Sequence, residues 1–163
     1  MEFFDEGKIT DEELFVRDDY WEKFLSEIGT SPEAICAGEI SFEAEGFSND
    51  AKIALVLSGK KTAIFSSYDS FFMDNEPLPV PGELYVVRNR ASVPVCVIEL
   101  ESVNVIPFRD VNYGMAKREG EDESIESWRL RTQEILEDEG TVVGFDFSPD
   151  MKLVFQTFKV VYR

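Results

Sequence analysis

The sequence predicts an α+β domain in which short strands form a small barrel and helices are inserted between them. Three observations lead there. Strand-like stretches at Glu39–Glu45, Lys61–Ser66, Glu83–Arg88, Val95–Val105 and Lys152–Tyr162 are short and irregularly connected, unlike a run of βαβ units. Helical periodicity appears between them and ahead of them. The 163 residues fit one domain, read as 1–163, and 44% hydrophobic with 13% aromatic residues is enough to bury a core.

Thr10-Asp11-Glu12-Glu13 has the spacing of a capping box, and Trp21, Phe24, Leu25 and Ile28 then recur at helical spacing. Residues 1–30 are therefore read as an acidic helical extension packed on the domain, ended by Gly29. Ile40, Phe42 and Ala44 alternate with polar residues as in a half-buried strand. Ser48 caps a helix over Asn49–Ser58 that Gly59 closes, and a strand comes directly after it. Asn75–Gly82 holds three prolines and reads as an ordered loop. Ala91-Ser92-Val93-Pro94 marks a hairpin, and Pro107 ends its second strand. Asp110–Arg118 reads as a short helix. Ser124–Glu139 reads as a longer one, with Ile125, Trp128, Thr132 and Ile135 on one face and Gly140 after it.

Composition excludes several chemistries. There is no histidine, which removes the commonest general base and metal ligand and rules out a Ser-His-Asp or Cys-His site within the chain. Cys36 and Cys96 stand in unrelated contexts, so they read as buried free thiols, and no metal or cofactor is expected. No apolar run reaches membrane-spanning length and the start lacks the pattern of a secretory signal, so no membrane partner and a cytoplasmic location are expected. The net charge is −17, unevenly spread: −12 over residues 1–50, +1 over 51–118 and −6 over 119–163. Such a surface repels long DNA or RNA, whereas the near-neutral middle tolerates a small anionic ligand.

Gly59-Lys60-Lys61-Thr62 is the segment most suggestive of a site. It is not a phosphate loop, because Ala54 stands where the first glycine is needed and the Gly-Lys pair leaves a helix for a strand. A desolvated lysine there is able to act as a base or to activate a hydroxyl, and Thr62, Ser66 and Ser67 are near in sequence. The plainer reading has one of the two lysines facing the C-terminus of the preceding helix. Glu99 and Glu101 share a strand face with Val97 and Val103, pointing to solvent or into a barrel mouth. Glu119 comes after Lys117 and Arg118 at a helix end, and Trp128-Arg129 opens the long helix, where the Thr132 hydroxyl is placed to bond back to the preceding turn.

Taken in order, six segments resemble the ASCH domain family, in its stand-alone bacterial branch formerly classed as a domain of unknown function. They are Leu57-Ser58-Gly59-Lys60-Lys61-Thr62-Ala63, Glu76-Pro77-Leu78-Pro79-Val80-Pro81-Gly82, Pro94-Val95-Cys96-Val97-Ile98-Glu99, Val105-Ile106-Pro107-Phe108, Ala116-Lys117-Arg118-Glu119-Gly120-Glu121 and Ser124-Ile125-Glu126-Ser127-Trp128-Arg129. The resemblance runs from about residue 20 to the C-terminus. It implies a PUA-like fold, a small mixed β-barrel flanked by helices, with a cleft along Gly-Lys-Lys-Thr and a role in RNA or nucleotide handling. Small bacterial relatives include amidohydrolases acting on N4-acetylcytidine and proteins reported as ribonucleases. In the amidohydrolase pattern a lysine, a threonine three residues later and a distant glutamate form the site. Here these fall on Lys61, Ile64 and Glu119. Isoleucine has no hydroxyl, and Thr62 or Ser66 lies about 7 Å away along a strand. The branch also tends to carry histidine where this chain has Thr132.

Three readings result. The first is a module binding a nucleotide, nucleoside or short RNA around Lys61, with Gly59, Lys60, Ser66, Tyr68, Glu99 and Arg129 as ligand contacts and Tyr68 or Phe71 stacking on a base. The second is an amidohydrolase using Lys61, Glu119 and Thr62, decayed through Ile64. The third is a non-catalytic scaffold. Monomer and homodimer both stay open.

Overall fold

The computed structural model describes residues 3–4, 10–28, 34–41, 49–73 and 75–163. Six strands, β1 (Phe3–Phe4), β2 (Cys36–Ser41), β3 (Ala63–Ser67), β4 (Leu84–Arg88), β5 (Pro94–Pro107) and β6 (Lys152–Tyr162), form one sheet in the order β1-β2-β4-β5-β6-β3. Only the β2–β4 pair is parallel, so the sheet is mixed, as a PUA-like α+β fold requires. Among the described residues the pairings run in an open order, with none that joins β3 back to β1 or β2.

Successive residues of a strand face opposite sides of a sheet, and β3 is buried on both. Ala63 and Phe65 join Trp128, Leu136, Leu153 and Phe155 in one core, where Trp128 stands edge-on to Phe65 at 5.0 Å and stacks on Phe108 at 5.4 Å. Ile64 joins Ile40, Ile53, Val56, Ile98, Leu100 and Phe158 in the other. Helix α5 (Ile125–Val143) supplies Trp128 and Leu136 to the first core, and α2 (Asn49–Leu57) supplies Ile53 and Val56 to the second. Helix α1 (Asp11–Ile28) docks through Phe24 against Val86 and Val97. Two more short helices complete the chain: α3 (Tyr68–Met73), and α4 (Tyr113–Ala116) with a 3-10 turn at Phe108–Asp110 before it and another at Lys117–Glu119 after it.

Several boundaries differ from expectation for identifiable reasons. The expected strand at Glu39–Glu45 starts earlier, at Cys36, and residues 42–45 lie outside the described residues, as do Gly29 and Ser48. Helix α3 was not expected; Ser67 starts it by accepting from the Ser70 amide at 3.2 Å. The short expected helix at Asp110–Arg118 divides into α4 and its flanking turns. The long helix begins as expected at Ser124, whose side chain accepts from the Ser127 amide, but Gly140 does not end it. Gly140 sits inside α5 because the Phe145 carbonyl packs where its Cβ would stand, and Gly144, at φ 100°, is the terminator. In β5 a bulge between Leu100 and Ser102 reverses the facing of the residues after it. Val103 therefore packs beside Leu100 in the second core, not on the face of Val97 and Glu99. Cys36 and Cys96 are free, with Cys96 buried and Cys36 half-buried. No helix among the described residues is long and apolar enough to cross a membrane.

Candidate functional site

The site is assembled where the turn after α2 meets the segment that leads into α5. Helix α2 ends in a closed cap: the amides of both Lys60 and Lys61 donate to the Leu55 carbonyl, and Gly59 takes φ 80°. The chain then runs against residues 118–121. The Thr62 amide donates to the Arg118 carbonyl at 2.7 Å, and Arg118 Nε donates to Thr62 Oγ1 at 3.0 Å. Gly120, at φ 77°, closes the preceding 3-10 turn, and an added Cβ there would stand 2.8 Å from the Lys60 carbonyl oxygen. Only glycine lets the two segments lie this close, and that closeness turns Glu119 and Glu121 toward Lys61.

The result is a buried ionic cluster. Lys61 Nζ lies 3.4 Å from Glu121 Oε2, 3.4 Å from the Glu119 carbonyl oxygen and 3.9 Å from Glu119 Oε2. Lys52, from the apolar face of α2, places Nζ 3.0 Å from Glu121 Oε1. Arg131, from α5, reaches Glu119 at 3.1 Å and Asp122 at 2.7 Å. Trp128 Nε1 donates to Glu119 Oε1 at 2.6 Å. The side chains of Lys52, Lys61, Glu119 and Glu121 are each 2% exposed or less. Three cations thus face three carboxylates with little water between them, which offsets the large cost of burying each charge alone. Burial by itself lowers the Arg131 pKa, but Glu119, Asp122 and Glu121 outweigh it and hold the guanidinium above its ordinary range. The carboxylates are committed to the chain's own cations, and among the described residues no group of three or more His, Cys, Asp or Glu side chains is arranged to hold a metal ion.

Beside this cluster opens a cavity of about 280 Å³. Its walls come from the end of α2 (Val56 to Gly59), from Lys61 and Thr62, from Arg118, and from the last part of β6 (Phe158 to Val160) with Arg163; Glu101 is its one acid. Two other cavities differ in character. One, of about 180 Å³, is walled by Glu39, Glu76 and Glu83 with Phe71 and Tyr85. The other, of about 370 Å³, lies between α1 and the β4–β5 hairpin and is lined by no cation. Of these three cavities among the described residues, the one beside Lys61 is the one that favours an anion.

A family model described as the ASCH domain matches residues 38–162. The chain belongs to the ASCH domain family. A crystal structure of an ASCH domain from Lactobacillus crispatus superposes with a TM-score of 0.80 at 27% identity, covering 99% of this chain and 100% of that one. A crystal structure of an Enterococcus faecalis protein assigned to DUF984 superposes with a TM-score of 0.74 at 28% identity, covering 91% of this chain and 90% of the other. A comparison with curated proteins finds no match.

Within this ASCH fold the residues singled out from sequence are distributed unevenly about the cleft. Lys61, Thr62 and Gly59 line the basic cavity, and Glu119 meets Lys61 behind it. Lys60 is exposed at the turn. Ser66 is 6% exposed, on the β3 face that carries Ile64. Tyr68 lies at the start of α3 with Lys152 Nζ 5.7 Å from its ring centre, away from the walls of the basic cavity. Glu99 pairs with Lys159 at 3.8 Å, and Arg129 is exposed on α5. Glu119, placed at a helix end by the sequence, is 2% exposed. Thr132 is 1% exposed, and its hydroxyl does not bond back to the preceding turn.

Sequence reasoning passed over Lys52, Glu121, Asp122, Arg131 and the cavity residues Arg118, Lys159 and Arg163. A signal existed for Lys52, which sits at helical spacing in the apolar stripe of Ile53 and Val56. Arg131 lies three residues after Trp128, on the same helix face. No local pattern marks Lys159 or Arg163, which reach the cavity only through the pairing of β6 with β3 and β5.

Proposed function

We propose that the chain is an ASCH-type module that binds a nucleotide, nucleoside or short RNA in the cleft beside Lys61. The observation that carries this reading is a sign reversal: on a chain of net charge −17, the cavity of about 280 Å³ is lined by the cations Arg118, Lys159 and Arg163 against Glu101, the Lys61 charge being taken up by Glu119 and Glu121. A cationic pocket in an acidic surface admits a small anion and disfavours a long one. Its volume lies just below the usual range for ligand sites, about 300–1,000 Å³, so it suits a ligand no larger than a mononucleotide or a strand end. Neither this reading nor the next calls on a metal or cofactor. The test is a thermal-shift and calorimetry panel of nucleosides, nucleotides and short RNAs. A ligand at about 100 times its Kd should stabilise the native state by about 2.7 kcal/mol. Lys159→Glu combined with Arg163→Glu should abolish the shift. If no member of the panel raises the melting temperature, the reading falls.

One observation favours an amidohydrolase acting on a modified nucleoside such as N4-acetylcytidine: Lys61 Nζ and Glu119 Oε2 converge to 3.9 Å. Against it, the Lys61 side chain is 0% exposed, Ile64 is packed in the second core, and Thr62 Oγ1 accepts from Arg118. Acetate release from N4-acetylcytidine, lost in Lys61→Ala and Glu119→Ala, would establish turnover. A gain in Ile64→Thr would identify a decayed enzyme. Absence of turnover in all of them leaves the binding module.

A further inference from the structure

The binding reading leaves the chemical class of ligand open, and one side chain in the cleft narrows it. Arg118 is half-buried in the cavity wall. Its Nε is held by Thr62 Oγ1 at 3.0 Å, and its own carbonyl holds the Thr62 amide at 2.7 Å. Both ends of the residue are therefore fixed to β3's lead-in. Its two terminal nitrogens find no hydrogen-bond or ion-pair partner among the described residues. A guanidinium fixed through Nε presents those two nitrogens as a planar fork, the geometry that grips two oxygens of a phosphate or carboxylate.

The surroundings point the same way. Arg163 and Lys159 stand in the same cavity wall. The C-terminus of a helix would normally repel an anion, but the last carbonyls of α2 are all engaged. Ala54 accepts from the Ser58 amide, Leu55 from Lys60 and Lys61, Val56 from Gly59, and Leu57 from Arg163 Nη1 at 2.8 Å. The Lys61 ammonium, the group first expected to meet a phosphate, is turned into the carboxylate cluster. That leaves Arg118 as the preformed anion receptor.

Resting on the binding reading above, we propose that the cleft seats a terminal phosphomonoester and that Arg118 selects it. The source is a free nucleoside monophosphate or the phosphorylated end of a short RNA. A monoester is dianionic near neutral pH and offers three oxygens to a fork and two flanking cations. A bridging diester carries one charge and would thread a further polyanion past an acidic surface.

Calorimetry on the full chain tests this with cytidine, cytidine 5′-monophosphate, the unphosphorylated dinucleotide CpC, a 5′-phosphorylated RNA trimer and inorganic phosphate, and with the matching adenosine series. The phosphorylated probes should bind at least about tenfold tighter than nucleoside or dinucleotide, as a charge-assisted bidentate contact provides. Arg118→Lys keeps the charge and loses the fork; it should shrink that gap to about threefold or less. Comparison of the monophosphate with the trimer assigns the source. Equal affinity for nucleoside and monophosphate overturns the phosphate proposal while leaving the cleft as a binding site. A gap unchanged in Arg118→Lys overturns the role of Arg118. No binding by any probe overturns both this proposal and the reading beneath it. Should Arg118→Lys fail to fold, salt decides on the unmodified protein. Raising ionic strength from about 50 to about 300 mM should weaken the monophosphate and spare the nucleoside, and parallel behaviour would refute the phosphate contact.

Discussion

Glu121 is the residue on which the site's charge balance turns. One of its oxygens forms an ion pair with Lys52 at 3.0 Å, the other accepts from Lys61 at 3.4 Å, and its side chain is 1% exposed. Replacing a buried partner leaves the opposite charge under-compensated, whereas an exposed carboxylate gives up little. Glu121→Gln should therefore destabilise the fold by about 2–4 kcal/mol in urea unfolding, and exposed Glu123→Gln by less than about 0.5 kcal/mol. Equal effects would show that the cluster does not hold the fold. The sequence named Glu119 as the partner of Lys61 because the family pattern pairs a lysine with a distant glutamate. Glu121 is nearer because Gly120 reverses the chain between them, a turn that depends on contact with Lys60 and so leaves no local trace. Ile64 was legible as a missing hydroxyl. That it also contributes to the second core becomes visible only with Val56 and Phe158 in place beside it.

At the scale of elements, two glycines with nearly the same backbone separate conformation from contact. Gly59 has φ 80° and Gly120 φ 77°, but an added Cβ meets nothing within 4 Å at Gly59 and lies 2.8 Å from the Lys60 carbonyl oxygen at Gly120. Gly59→Ala should cost only the left-handed strain, about 1–2 kcal/mol. Gly120→Ala should cost at least about 2 kcal/mol more, because a backbone carbonyl has to move, and should also abolish ligand binding by separating Thr62 from Arg118. Similar losses for both would mean that the two segments do not touch. The elements most legible in advance were those with local punctuation: Ser124 at the start of α5, Gly59 at the end of α2, and β6, found at Lys152–Tyr162 as expected. Helix α3 was hidden because Ser66-Ser67-Tyr68-Asp69-Ser70 carries no periodicity, and the β5 bulge was hidden because alternation alone cannot show where it slips.

For the whole molecule, the absence of histidine removes the side chain that ordinarily titrates near neutral pH, and on the alkaline side buried thiols and phenols set the dependence. Burial pushes the Cys96 thiol up to about 12 from 9.0, against a smaller downward pull from Arg163. The unfolded chain loses that proton near the ordinary value while the folded chain keeps it. Stability from this group is therefore full below about pH 9 and declines between about pH 9 and pH 12, by up to about 1.4 kcal/mol per pH unit. Burial raises Tyr20 and Tyr85 as well, with a second push on Tyr85 from its hydrogen bond to Glu83, so they add the same sign at higher pH. The melting temperature should fall from pH 9 to pH 10.5, and Cys96→Ala should flatten the early part of that slope. An unchanged slope would assign the decline to the Cys36 thiol, which burial also raises, and to the tyrosines.

The strand order carries one more consequence. β6 lies between β5 and β3, and its closing residues form one wall of the basic cavity. β3 therefore has to wait, during synthesis, for everything from α3 through α5 to leave the ribosome before its antiparallel partner arrives. Contacts of such sequence separation form late. The cleft therefore depends on a late-formed pairing: without β6 the lysine-bearing turn lacks the wall that Phe158 to Val160 supply.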